Sequence, residues 1–519
     1  MLGNMAATTT ATTSTTRRTT DKKKSCLEGD AYIKRYRSWV LLSLALLVVS
    51  VSSGLIYGWP ALRLQLQEVD GSTLTEERFG LMYTIGSWST QGGRFFLGAA
   101  RDHFGTNIVT CFSLLMCVVG LIGVGICDPD QFVVLNVSLF LIGLGSGAQL
   151  CLQPVAGLFP NHVGIVLTSL SGAFQISGLM FLILTTRSTS RRASFLAFVA
   201  FISVLIVLSA IFLPTSNSFV LTEETATEAA VTAEVEVDDN GNSNGNQEDN
   251  SCDKQVLEGK NESVVRYDNR LESSKLLLEI ESEVLSTGLE SDTNNENDEH
   301  GNSIDDDVVK GDQLSSPPTA LQQIKTCEYI FLCTWFSIAV IPLQYYVGII
   351  GFQLEELGDD TGLYTDIFAY CFAGAAITAP LAGWIADRFG LGIAQAISTF
   401  LLALPIFMLA AKDSITLNAH TVGLAVYGIA RMGIYGLYFT NCGKRFGYDN
   451  YGTLAGLGLL ISAIMSLLQY PLIAWTIKGY STVVNTFLGA ILVLQAPYFI
   501  WLNRRENFSE SAMQRMQRR

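Results

Sequence analysis

The sequence predicts an all-α polytopic membrane protein with twelve transmembrane helices in two six-helix halves. Three observations carry that prediction. Apolar residues make up 49% of the 519-residue chain and charged residues only 15%, a balance that excludes a small soluble domain, a secreted disulfide scaffold and a nucleic-acid-binding module. Apolar runs of about 20 residues, the length that crosses a bilayer as a helix, recur along the chain. A short polar motif also occurs twice, at equivalent places in the two halves.

Residues 1–38 are Thr/Ala-rich and then basic, and read as a disordered cytosolic tail. The first half, 39–213, holds predicted helices at 39–60, 80–99, 106–127, 131–154, 163–184 and 193–213. Residues 214–324 form an acidic, largely disordered connector; 221–320 alone holds 26 Asp/Glu against 6 Lys/Arg, so the rest of the chain is mildly basic despite the overall charge of −14. Within the connector, Leu271–Leu285 has the apolar content of one short helix, and Glu272–Leu277 fits an acidic dileucine sorting signal. The second half, 325–502, holds predicted helices at 327–349, 365–386, 391–410, 419–440, 451–474 and 481–502, and a basic cytosolic tail follows at 503–519. Alternating ten-residue patterns of a membrane barrel are absent.

The basic segment before Trp39 sets the N-terminus in the cytosol, and an even number of crossings returns the C-terminus there. The turn with Asp128 and Asp130 then faces outward as expected; Arg187, Arg191 and Arg192 also face outward, against the charge rule. The sequence leaves open which membrane is meant, plasma or vacuolar/endolysosomal, and the oligomeric state.

The repeated motif reads Gly98-Ala-Ala-Arg101-Asp102-His103-Phe104-Gly105 after the second helix and Gly383-Trp-Ile-Ala386-Asp387-Arg388-Phe389-Gly390 after the eighth, offset by 285 residues. Its glycines allow close helix approach and a tight turn, and its aspartates suit a helix N-terminus or an arginine partner. Arg101, Asp102, His103, Asp387 and Arg388 are therefore expected to form a gating latch on the cytosolic face.

Inside the spans, ionisable side chains are scarce. Arg431, in Tyr427-Gly-Ile-Ala430-Arg431-Met-Gly-Ile-Tyr435, lies near mid-span, where a charge is expensive unless it faces a cavity or an anion. Its planar donors suit a carboxylate. Two roles stay open for it, substrate recognition and a permanent interhelical network. Gln344, Tyr345, Gln91 and Ser87 are further expected cavity residues; Asn136, Gln149, Gln153, Gln175, Gln395, Gln469 and Asn485 are other polar side chains in the spans, each equally open to a role as glue between helices. Arg94, near the predicted end of the second helix, is assigned to the latch. No carboxylate occupies the middle of a span, which favours facilitated diffusion over proton symport. No phosphate loop, serine elbow, zinc signature or metal-ligand spacing among the ten cysteines appears, so neither an enzyme nor a cofactor is expected.

The doubled motif resembles the hallmark loop of the major facilitator superfamily, with His103 in place of the usual arginine in the first copy. The strings Arg431-Met-Gly-Ile-Tyr435, Lys444-Arg445-Phe446-Gly447 and Ser466-Leu-Leu-Gln469-Tyr470-Pro471 look like those of the large neutral amino acid transporters of solute carrier family 43, as do Gly58-Trp59-Pro60 and Phe159-Pro160-Asn161. The resemblance covers some 400 residues and implies a sodium-independent facilitator of branched-chain or aromatic amino acids working by alternating access. It also implies that Arg431 contacts the substrate. Its partners would be the amino acid and the lipid bilayer. Two alternatives remain: a carrier of another small anion or monocarboxylate, and a non-transporting receptor or scaffold whose acidic loop holds a cytosolic partner.

Overall fold

The computed structural model describes residues 36–185, 190–216, 219, 318–359 and 363–517. Most of the acidic connector, with the Leu271–Leu285 segment and the Glu272–Leu277 match, lies outside the described residues.

The described chain is helical almost throughout. In the first half, α1 (Tyr36–Ser52) bends by 43° into Leu55–Gln67. Then come α2 (Glu76–Phe104), α3 (Thr106–Ile126), α4 (Phe132–Leu158), α5 (Val163–Leu184) and α6 (Arg191–Phe212). The second half holds α7 (Cys327–Glu356), α8 (Leu363–Phe389), α9 (Leu391–Ala410) and α10 (Leu417–Phe446). It ends with α11 (Tyr451–Met465), α12 (Ser481–Val493) and α13 (Ala496–Gln517).

Among the described residues, nine helical runs are long and apolar enough to cross a membrane, ten with the bent α1 pair. α2 is not among them, because Gln91, Arg94, Arg101 and Asp102 dilute its apolar run. The run Tyr451–Phe508 counts once although its backbone leaves the helix at Gly479, φ 94°. A count of twelve requires α2 and both arms of that run to cross.

The helices sort into two halves of like design. Within the first, α3 packs on α4 and α6; within the second, α9 packs on α10 and α12. The halves meet chiefly where α2 lies on α11 and where α5 lies on α8 and α10. The outer surface is apolar, as lipid requires: Val204, Val207 and Ile211 on α6 are 57%, 58% and 66% exposed. Aromatic stacks fill the second half, with Phe336 on Tyr438 at 4.0 Å and Tyr346 on Tyr427 at 4.2 Å between ring centroids.

Both copies of the repeated motif end in a glycine with a left-handed backbone, Gly105 at φ 85° and Gly390 at φ 95°, which a residue with a Cβ adopts only under strain. These turns reverse the chain from α2 into α3 and from α8 into α9. Of the three arginines that break the charge rule, Arg187 lies outside the described residues and Arg191 has local partners. Arg191 pairs with Asp70 at 3.1 Å and donates to the Cys127 carbonyl at 2.5 Å, tying together three loops of the first half.

Candidate functional site

Two structures built from polar residues span the boundary between the halves: a latch at one face and a cavity near the middle.

The latch is a pair of crossed helix caps. Asp102, near the end of α2, accepts from the Gly452 and Thr453 backbone N–H groups at 3.1 and 2.6 Å. Asp387, near the end of α8, accepts from those of Gly164 and Ile165 at 2.9 and 3.0 Å. Each carboxylate thus meets the positive N-terminal end of a helix in the opposite half, α11 or α5, where unpaired N–H groups and the helix dipole favour an anion. Close glycine contacts make this reach feasible. A Cβ on Gly98 would come within 2.7 Å of the Gly452 carbonyl, and one on Gly164 within 2.5 Å of the Gly383 carbonyl.

The two copies differ in their cations. Fully buried Arg101 pairs with Asp102 at 3.0 Å and donates to the Tyr448 carbonyl across the boundary at 2.9 Å. Ala386 stands at the corresponding place in the second copy, and Lys444 of α10 supplies the charge there, 2.8 Å from Asp387. His103 and Arg388 lie exposed at the same helix ends. Below the latch, the Tyr451 hydroxyl donates to Gln153 of α4 at 2.9 Å, a further bond across the boundary. In this conformation the halves are closed on the latch face.

The cavity is lined from both halves. Tyr57, Arg94, Gln149, Ser171, Phe174 and Gln175 come from the first half; Arg431, Met432, Tyr435 and Phe439 come from one face of α10. Its volume is about 20 Å³, room for about one water molecule.

Two guanidinium groups dominate its electrostatics. Arg94 is 2% exposed and Arg431 5% exposed. Arg94 lies over the Phe174 ring at 3.8 Å; Arg431 lies 5.0 Å from the Phe372 ring and 5.3 Å from that of Tyr435. Such cation–π contacts soften the cost of a buried cation but carry no neutralising charge. Arg94 also donates to Gln91 at 3.3 Å, and Arg431 to the Tyr427 hydroxyl at 3.4 Å. Nε of each arginine, and Oε1 of Gln149, are buried with no hydrogen-bond partner. No acidic side chain lines the cavity.

Arg431 therefore sits where the sequence places it, while Arg94 does not belong to the latch. α2 continues to Phe104, so Arg94 lies ten residues, about 15 Å, inside the helix end. The readable signal was the stripe Ser87, Gln91, Arg94, spaced four and three apart on one face of a helix. Gln91 supports Arg94 from beside the cavity. Ser87 is half-buried on the same stripe and does not border the cavity. Gln344 stands one step back, donating to the Tyr435 hydroxyl at 3.3 Å. Tyr345 points elsewhere, sharing a 2.7 Å hydrogen bond with Thr476 in the core of the second half. Among the described residues, no group of three His, Cys, Asp or Glu side chains is placed to hold a metal.

Residues 40–470 match the family model of the Major Facilitator Superfamily. Equilibrative nucleobase transporter 1 of Bos taurus is 24% identical over 168 residues, 28% of this chain and 34% of that protein. The match thus spans about a third of the curated relative's length. Two solved structures are similar over 90% of this chain. The proton:xylose symporter XylE bound to 6-bromo-6-deoxy-D-glucose is 13% identical with a TM-score of 0.56 and 95% of its chain covered. The human organic anion transporter MFSD10 is 14% identical with a TM-score of 0.54 and 99% covered. At these identities the likeness speaks for the fold alone.

Proposed function

The chain belongs to the major facilitator superfamily and is a multi-pass membrane transporter; we propose that it carries neutral amino acids by alternating access, without sodium, binding them at the cavity between Arg94 and Arg431. One observation carries this reading. Two buried guanidiniums border one cavity, each with an unpartnered Nε, and no acidic side chain lies among the lining residues. Such a site favours a bound carboxylate, to which arginine offers paired planar donors. The unpartnered Gln149 Oε1 suits the ammonium of a zwitterion, and Phe174, Met432 and Phe439 suit an apolar side chain. The resemblance of Arg431-Met-Gly-Ile-Tyr435 and Ser466-Leu-Leu-Gln469-Tyr470-Pro471 to strings of the large neutral amino acid transporters of solute carrier family 43 points to the same substrate class.

The cavity is far smaller than leucine, so the present conformation precedes or follows substrate binding. Rocking of the halves would open the site to one side at a time, with the aspartate caps holding one face shut. Since the basic N-terminal segment favours the cytosol, the latch face would be the cytosolic one.

A second reading rests on the match to the bovine nucleobase transporter. A planar base would stack on Phe174 or Phe439 and present acceptors to the arginines. Uptake of radiolabelled L-leucine by the purified protein in sodium-free proteoliposomes, competed by the twenty amino acids, adenine, hypoxanthine and lactate, separates the two. Inhibition by large neutral amino acids is expected. No leucine uptake, together with saturable adenine or hypoxanthine uptake, would replace the first reading by the second.

A further inference from the structure

We propose that the cavity takes a second ligand beside its substrate: a small monovalent inorganic anion, chloride in the first instance, seated at Arg94 on the side of the first half. Its role beside the substrate rests on reading the cavity as the substrate site; its binding to the empty protein does not.

Charge balance is the first ground. Arg94 of α2 and Arg431 of α10 border the cavity, 2% and 5% exposed, and no acidic side chain stands among the lining residues. Toward the latch, the next carboxylate on α2 is Asp102, eight residues and about 12 Å further along the helix. It is already held by Arg101 and by the Gly452 and Thr453 N–H groups. Buried charges are as a rule paired, and the aromatic faces beside these arginines bring no full negative charge. A zwitterionic amino acid does not supply the difference. Its carboxylate answers Arg431, but its ammonium brings a third cation, so two positive charges stay unbalanced in one compartment.

The shape of the site is the second ground. The cavity, about 20 Å³, has room for about one water molecule. That space admits a spherical ion little larger than water and excludes an amino acid. The Phe174 ring covers one face of the Arg94 guanidinium at 3.8 Å, which leaves the in-plane N–H groups as the donors an anion meets. Nε is one of them and has no partner. Tyr57 and Gln175, also from the first half, bring a hydroxyl and an amide to the same cavity.

Two seats result, Arg431 for the substrate carboxylate and Arg94 for the anion. An anion at Arg94 lowers the cost of bringing the ammonium into the compartment. Each ligand therefore strengthens the binding of the other by the same factor.

The test begins without substrate. The purified full-length protein in potassium gluconate is titrated with potassium chloride at constant ionic strength while its melting temperature is followed. A ligand that binds the folded state alone raises that temperature along a binding curve. The wild type is expected to show a saturable rise, Arg94→Gln none, and Arg94→Lys, which keeps the charge, a rise that saturates at higher chloride. A wild type with no rise overturns the proposal, as does an Arg94→Gln protein whose rise equals that of the wild type. If Arg94→Gln fails to fold, the second measurement decides with the wild type alone. In sodium-free proteoliposomes the KM for L-leucine should be about tenfold lower in potassium chloride than in potassium gluconate. Equal KM values, or a higher one in chloride, overturn the proposal. Absence of leucine uptake in both salts would refute the amino acid reading, while the melting curves would still decide whether Arg94 seats an anion.

Discussion

Arg431 lies midway along the 30-residue α10, at a depth where an arginine costs about 2.5–3.5 kcal/mol on insertion scales. That cost made it legible, since a lone guanidinium amid apolar residues is hard to explain as packing. Arg94 was hidden by a boundary. The hydrophobic run fades near residue 99, which puts Arg94 close to an apparent end, but the helix runs on through the latch to Phe104. Gln344 and Tyr345 share a polar stretch of α7 yet face Tyr435 and Thr476 respectively, because adjacent helical residues point about 100° apart. Away from the membrane, Asp130 is held below the usual carboxylate range, first by the Thr73 backbone N–H and then by the Ser72 hydroxyl. Because its folded value is depressed, its bonds support the 70–75 turn above the unfolded value. That support fades as pH falls through the lower folded value, below about pH 4. Protease cutting in this turn is therefore expected to rise in that acid range. Asp130→Asn should raise it already at neutral pH and flatten the acid response, as mass spectrometry of limited digests would record.

At the scale of elements, the apolar spans were visible because lipid-facing helices must be apolar, and their ends were less so. α2, α7 and α10 extend several residues past the predicted spans, since terminal turns reach beyond the hydrocarbon and carry polar side chains that a hydropathy reading discounts. The latch motif was legible as a doubled pattern. Its partners were not: the N-termini of α11 and α5 lie hundreds of residues away in sequence, and no local periodicity points to them. Each cap is one helix-terminus interaction of about 1 kcal/mol. Asp102→Ala and Asp387→Ala should each shift the conformational equilibrium toward the latch-open state about fivefold, and together by roughly the product, because the caps are separate contacts biasing one equilibrium. Energy transfer between dyes at 104 and 389 measures those populations. Variants that leave them unchanged would remove the caps from gating.

For the whole molecule, the internal repeat and the charge split between membrane body and acidic connector pointed to two like halves joined by a long segment. Which conformation prevails was not legible, because it depends on small energy differences between contacts that cross the halves. Substrate identity is hidden for a similar reason: under the proposed site, it would depend on a few side chains around a cavity that forms only when five helical segments meet. Since the contacts between the halves run chiefly through α2, α5, α8, α10 and α11, the transport core should not need the connector. Deleting residues 221–310 is therefore expected to leave initial uptake within about twofold of the full chain, well under 1 kcal/mol of barrier. Loss of all flux from a properly folded deletion protein would contradict that independence. The most direct test of the central claim is the initial rate of L-leucine uptake into sodium-free proteoliposomes holding equal amounts of wild type and Arg431→Ala. Saturable uptake by the wild type and background uptake by the variant are predicted; a variant that transports leucine as fast as the wild type would contradict a substrate site built on Arg431.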